Sequence, residues 1–197
     1  MAGTKDQKYL ILLAGLPCTG KSTVSDKLYH GLKDYDLISQ NEIRREYGYK
    51  KMPKNQDFAL RETDRRAAKS LNGGRGVIID SVNKFTFRRQ QVYGVASCCD
   101  SRAITLECIC SQEEAKKRMR SRPNSDGLIS DPNDPRVYDK LSKEWESIDE
   151  DFKHLGVDHV SHVTYDSSEN ALEIVRVDKN NKKLIRFIDR IEKLLIS

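Results

Sequence analysis

Lys8-Tyr-Leu-Ile-Leu-Leu-Ala-Gly-Leu-Pro-Cys-Thr-Gly-Lys-Ser22 is the stretch on which the reading of this chain turns. Its first half, KYLILLA, is a short apolar run that stops at a glycine. That is the pattern of a strand buried on both faces in a parallel sheet. Its second half, Gly15 to Ser22, fits G-x-x-x-x-G-K-[ST]. This is the pattern of a loop whose successive backbone N–H groups curl around a phosphate. The residues after it, Lys21 to Leu32, carry Val24, Leu28 and Leu32 at helical spacing. The motif therefore sits where its chemistry requires, between a strand and a helix whose positive N-terminus favours an anion.

Gly15, Leu16, Pro17, Cys18, Thr19, Gly20, Lys21, Ser22 and Thr23 are accordingly the expected nucleotide cradle. Lys21 is placed to reach the β- and γ-phosphates and Ser22 to ligate Mg²⁺. Cys18 lies inside the loop, where a helix N-terminus and a lysine can lower a thiol pKa. Nothing else in the chain suggests thiol chemistry, and a tolerated small residue is the plainer reading.

Working outward, apolar strand-like runs alternate with amphipathic segments. YDLIS (Tyr35–Ser39), VIID (Val77–Asp80), Ala103–Ile109 and His159–Tyr165 read as further strands. Helices are expected from Asn41, over Asp57–Leu71, Thr86–Cys99 and Tyr138–Phe152, and at Leu184–Ile196. Ser111-Gln-Glu-Glu114 is a capping box that opens another helix reaching about Arg122. Leu172–Val177 looks like an added edge strand. Residues 123–135 hold three prolines and a glycine, a loop of the length that functional lids have. This alternation means an α/β fold with a mainly parallel sheet and helices on both faces. Functional residues then belong beyond the carboxyl ends of the strands, at the topological switch point.

Composition narrows the class. The chain has 197 residues, 37% hydrophobic and 33% charged, a globular and helix-rich balance that leaves out disordered and collagen-like classes. Its length suits one domain, 1–197, with a lid around 112–136. No apolar run is long enough for a membrane span, and the first residues, MAGTKDQK, lack a signal-peptide apolar region. The five cysteines form no CxxC pair, so a reducing cytoplasmic setting is expected. Thirty-five Lys and Arg against 30 Asp and Glu leave a net charge of +5, which favours anionic partners. A lysine-rich solvated surface accounts for it equally well.

A signalling GTPase would need a D-x-x-G switch, and no aspartate here has a glycine three residues later. A short chain with an arginine-bearing lid suits a small kinase, because phosphoryl transfer needs mainly in-line positioning and charge neutralisation. Four segments carry a resemblance from Leu10 to about Trp145: GLPCTGKST from Gly15, SQNEIRR from Ser39, GVIIDSVNKFTFRRQ from Gly76 and AKKRMRSR from Ala115. In this order the chain resembles the small P-loop kinases typified by the bacteriophage polynucleotide 5′-kinase domain, with zeta-toxin and small-molecule kinases as more distant relatives. The resemblance implies a three-layer sandwich on a mainly parallel five-stranded sheet in the adenylate-kinase-like order. It also implies ATP and Mg²⁺ as cofactors and a hydroxyl as acceptor, RNA or DNA 5′ ends leading and a nucleoside, sugar or other metabolite next.

The remaining site residues divide by evidence. Asp80 closes a buried strand next to the loop, where an acid holds Mg²⁺ directly or through water; a turn-capping role is the alternative. Asn83 could bond phosphate, substrate or its own turn. Arg88 is the candidate substrate contact on the next helix, and Arg89 reads as a solvated neighbour. Arg118 and Arg122 are four apart and share a helix face. The resemblance gives these two the transferred phosphate, and planar guanidinium suits that better than ammonium. It also assigns Arg44 to the acceptor. The Arg61, Arg65, Arg66 set reads mainly as a solvated helix face, and few aromatics interleave with these cations to stack bases. One position departs from the resembled pattern: the general-base aspartate is Asn41 here. An amide orients a hydroxyl but takes no proton, so a weakened enzyme or a nucleotide-binding regulator also stands as a reading.

Overall fold

A computed structural model describes residues 7–48, 53–122, 133–153 and 159–196. Six strands, β1 (Tyr9–Ala14), β2 (Tyr35–Ser39), β3 (Gly76–Asp80), β4 (Arg102–Ile109), β5 (Val160–Asp166) and β6 (Ala171–Arg176), form one sheet in the order β2-β3-β1-β4-β5-β6. The first five are parallel, in the adenylate-kinase-like order that the resemblance implies. The sixth is antiparallel to β5, at the edge. Seven α-helices accompany them among the described residues: α1 (Lys21–Gly31), α2 (Gln40–Glu46), α3 (Pro53–Asn72), α4 (Thr86–Cys98), α5 (Gln112–Arg120), α6 (Pro135–Lys143) and α7 (Lys182–Ile196).

The alternation of β1 generates the three layers. All six of its residues are buried. Tyr9, Ile11 and Leu13 face Val24 and Leu28 of α1 and Ile188 and Ile191 of α7. Leu10, Leu12 and Ala14 face Ala59 and Ala67 of α3 and Val92 and Ala96 of α4. Burying each large apolar side chain contributes about 1.5–3 kcal/mol, so one strand anchors both cores. It also sits where the strand order reverses, with β3 on one side and β4 on the other.

Two sequence expectations change. The helix expected over Tyr138–Phe152 stops at Lys143, and a 3₁₀ segment covers Ile148–Lys153. That segment exists to serve Arg89, which is not a solvated residue: its side chain is 0% exposed. Arg89 donates to both Asp151 carboxylate oxygens at 2.7 Å and to the carbonyls of Asn83, Glu146 and Ser147 at 3.0 Å. Tyr93 donates to Asp151 at 2.6 Å and shares a hydrogen bond with Thr105 on β4. Burial pushes the Tyr93 phenol far above its ordinary pKa, with the Asp151 charge adding to it.

The Arg89–Asp151 pair therefore clamps the segment after α6 to the start of α4. Asp151→Asn leaves a buried guanidinium uncompensated, and a loss of about 3–5 kcal/mol is expected in urea unfolding. A variant within 1 kcal/mol of the parent would show that the clamp is not what holds this segment.

Candidate active site

The loop between β1 and α1 is shaped by its glycines and by one cysteine. Gly15 has φ 147° and lies so close to β4 that a Cβ would collide with the Cys108 carbonyl. Gly20 has φ 94°, and a Cβ there would lie 3.1 Å from Ser167 Cβ. Cys18 also takes a left-handed φ, 64°. The outward-turned carbonyls have partners. Leu16 O accepts from Lys21 Nζ at 2.6 Å and from Thr19 Oγ1 at 2.9 Å. Cys18 O accepts from Arg118 Nη1 at 3.3 Å. Gly20 caps α1 without a side chain, so the first-turn N–H groups of that helix are left for an anion.

Cys18 is buried against Ala115 and Met119 of α5 and Tyr138 of α6. It is a packing residue that ties the loop to these helices. Burial pushes its neighbour Cys108 up to about 12, so that thiol stays protonated.

Lys21, Ser22 and Asp80 converge below the loop. Ser22 Oγ donates to Asp80 Oδ2 at 3.2 Å across the gap between α1 and β3. Burial lowers the Lys21 ammonium pKa and raises that of the Asp80 carboxyl, and each opposes the other's shift. A hydroxyl and a carboxylate side by side fit Mg²⁺, which takes few protein oxygens and completes its shell with phosphates and water.

One cleft of about 1020 Å³ runs from this cradle outward. Arg118 and Arg122 both line it, as their shared face requires. They are not equivalent. Arg118 is anchored by Glu114 at 2.9 Å, by Ser167 Oγ at 2.8 Å and by the Cys18 carbonyl, on the side of the cradle nearest β5. Arg122 lies close enough to Lys21 for the two cations to repel. The rest of the lid expected from sequence, 123–132, falls outside the described residues.

On the other side, Arg44 projects from α2. It donates to Asn41 Oδ1 at 3.2 Å and to Gln40 Oε1 at 3.4 Å, and no carboxylate balances it among the described residues. Asn41 therefore orients this cation. Two other expected contacts, Asn83 and Arg88, line the cleft and are also held by the fold. Asn83 is buried, and its amide donates to Leu13 O at 2.7 Å. Arg88 is 3% exposed and makes a two-pronged pair with Asp64 at 2.7 and 2.8 Å. Arg65 and Arg66 are likewise matched, by Glu62 and Glu46, so they add no open anion surface. Sequence reasoning missed Phe85, Phe87 and Lys140, which also line the cleft; the only signal for the aromatics was F-T-F before a basic helix.

Residues 10–141 match the family model described as an AAA domain. The chain belongs to the AAA domain family. None of the curated proteins compared with it is similar enough in sequence to count as a relative. Among solved structures, this AAA domain is similar to a candidate kinase from Chloroflexus aurantiacus, at 25% identity over 61% of this chain and 69% of that one, with a TM-score of 0.51. It is similar in fold to Kti12 from Chaetomium thermophilum in complex with ADP-AlF₃, at 20% identity over 94% and 98%, TM-score 0.61. It is also similar in fold to the APS kinase CysC from Mycobacterium tuberculosis in complex with AMPPNP and APS, at 12% identity over 94% and 98%, TM-score 0.55. The fold is that of the P-loop kinases, and the similarity does not single out the phage polynucleotide kinase among them.

The two lid arginines should separate kinetically. Arg122→Lys keeps charge but loses the fork; a fall in kcat with little change in nucleotide KM is expected, the mark of an interaction made in the transition state. Arg118→Lys cannot reach Glu114, Ser167 and Cys18 together, so nucleotide KM should rise as well. Steady-state kinetics decide this, and identical profiles would contradict the division.

Proposed function

We propose that this AAA domain is an ATP-dependent, Mg²⁺-requiring kinase that transfers the γ-phosphate to a hydroxyl, with the 5′-hydroxyl end of a nucleic acid strand as acceptor. The observation that carries the reading is the two-ended cleft. One end is a complete triphosphate cradle with a hydroxyl-carboxylate pair for Mg²⁺. The other presents Arg44, a cation oriented by two amide oxygens and balanced by no carboxylate. Kti12 with ADP-AlF₃ and APS kinase with AMPPNP on this fold support a nucleotide in the cradle.

The steps follow from the residues. The cradle N–H groups and Lys21 hold the β- and γ-phosphates. Ser22 and Asp80 would hold Mg²⁺, which supplies charge neutralisation between these phosphates. Arg122 meets charge developing on the transferred group, and Arg118 fixes the cradle from the β5 side. Asn41 holds Arg44 toward the acceptor. Phosphoryl transfer has a loose transition state with little covalent chemistry for a protein group to do, so a carboxylate base at position 41 is not required. A nucleotide-binding regulator draws on the same asparagine, and a small-molecule kinase on the same cradle.

A screen with γ-labelled ATP over 5′-hydroxyl RNA, 5′-hydroxyl DNA, nucleosides and sugars tests the proposal. Label on the strands is expected, with Lys21→Met losing on the order of 10²–10³ in rate. Acceptor KM should rise steeply with salt as counterions are released. Label only on sugars or nucleosides, with a flat salt profile, would move the reading to a small-molecule kinase. Slow phosphate release with no labelled acceptor would move it to a regulator.

Position 41 supplies a second test. Asn41→Asp places a carboxylate within ion-pair reach of Arg44. Acceptor KM should rise several-fold while ATP KM stays unchanged. A faster reaction with a new acidic limb in its pH profile would instead show that a proton acceptor at this position limits the wild-type rate.

A further inference from the structure

An aromatic pair on the acceptor side of the cleft has no part in the steps above. Phe85 precedes α4 and Phe87 lies in its first turn. Their rings stack with centroids 5.7 Å apart and planes 25° from parallel. Both line the cleft, yet Phe87 is 57% exposed. Lys84 Nζ sits 4.5 Å from the centre of the Phe85 ring. Phe85 is thus engaged by a cation and a second ring, while Phe87 keeps most of its surface open at the cleft mouth.

The pair stands on a firmly tied loop. Lys84 is ion-paired with Glu144. The Thr86 N–H donates to Glu146 Oε2 at 2.6 Å, and the Glu146 N–H donates to Lys84 O at 3.1 Å. Arg89 holds the Asn83 carbonyl from below at 3.0 Å. An exposed ring on so restrained a backbone loses little further freedom when something stacks on it, which is how a pre-organised site gains affinity. The cations nearby complete the chemistry. Arg44 lacks a carboxylate partner, and Lys140 of α6 lines the same cleft. Aromatic faces set among cations along a groove are the features that bind single strands, bases on the rings and phosphates on the charges.

We propose that Phe87, backed by Phe85, is a stacking platform for a base in the first two nucleotides of a single-stranded 5′-hydroxyl acceptor, with Arg44 and Lys140 meeting its backbone phosphates. The placement of the strand's 5′ end rests on the kinase reading, but the stacking itself needs no catalysis. Stacking tolerates every base because every base has a π-face, so the site takes strands without strong sequence preference.

The test is a binding titration on the full chain with Mg²⁺ and AMPPNP. The probe is a single-stranded 5′-hydroxyl oligonucleotide carrying 2-aminopurine in its first two positions, and the control carries it in the interior. Quenching of the 5′ probe is expected with the wild type. Phe87→Ala should weaken strand binding roughly tenfold or more and remove the quenching, with AMPPNP affinity unchanged. Phe87→Trp should preserve both. Absence of quenching by the wild type, or a Phe87→Ala variant that binds and quenches like it, overturns the platform. If quenching depends on Phe87 but no strand is ever labelled, the platform holds and the kinase reading fails. If strands are labelled with an acceptor KM indifferent to Phe87, the kinase reading holds and the platform fails.

Discussion

Everything in this molecule depends on β1 being buried on both faces and flanked on both edges. A strand so placed has its backbone groups paired and its side chains packed along its whole length. At its carboxyl end the chain must leave the sheet at once, because Gly15 already lies against the Cys108 carbonyl. The turn that results runs through left-handed backbone at Cys18 and Gly20 and empties into an uncapped helix. Carbonyls turned outward find Lys21, Thr19 and Arg118. The first-turn N–H groups of α1 have no side-chain cap. An anion cradle is thus the complement of a tightly enclosed strand, and α5 is fastened to that cradle through Arg118 and the apolar contacts of Cys18.

Charge is distributed with equal economy. Most cations near the cleft are matched: Arg88 by Asp64, Lys84 by Glu144, Arg65 and Arg66 by Glu62 and Glu46, Arg89 by Asp151. Matched cations hold the frame and add little field at the cleft. Among the described residues Arg44 has no such match, and Asp80 is the carboxylate that acts on Lys21. Positive charge at the cleft therefore comes from the cradle, from Arg44 at the α2 edge and from Lys140 of α6, all of which line it.

The strands and the loop after β1 were legible from local signals, apolar runs ended by glycine and a phosphate-loop pattern, whereas the sheet order came from the resemblance; Ser111 caps α5 by accepting from the Glu114 N–H at 3.2 Å. Arg118 and Arg122 were legible because helical spacing alone puts them on one face. Arg89 was not. Nothing local distinguishes it from Arg88, and its burial depends on Asp151, 62 residues further along. Asn83 reads from sequence as a loop contact after a strand, and in the structure it lines the cleft while its amide donates to Leu13 O of β1, a bond that no local pattern announces. Phe85 and Phe87 were invisible because an aromatic in a sequence reads as core unless tertiary structure leaves it outside.

Asn41 also changes meaning between the two descriptions. Compared with a pattern that has aspartate there, it reads as a lost base. In the structure its side-chain oxygen sits 3.2 Å from Arg44 Nη1. Unit charges about 4 Å apart interact by about 4 kcal/mol at the effective dielectric of a protein surface. A carboxylate at this position would therefore hold Arg44 as an ion pair and cancel the field at the acceptor end. The amide gives the same directional bond and leaves the cation its full charge. General-base help contributes least to a loose phosphoryl transfer, whereas attraction for a phosphate-bearing acceptor acts on every encounter. If the acceptor carries phosphate, as proposed, asparagine at this position keeps the stronger of these two contributions at the expense of the weaker.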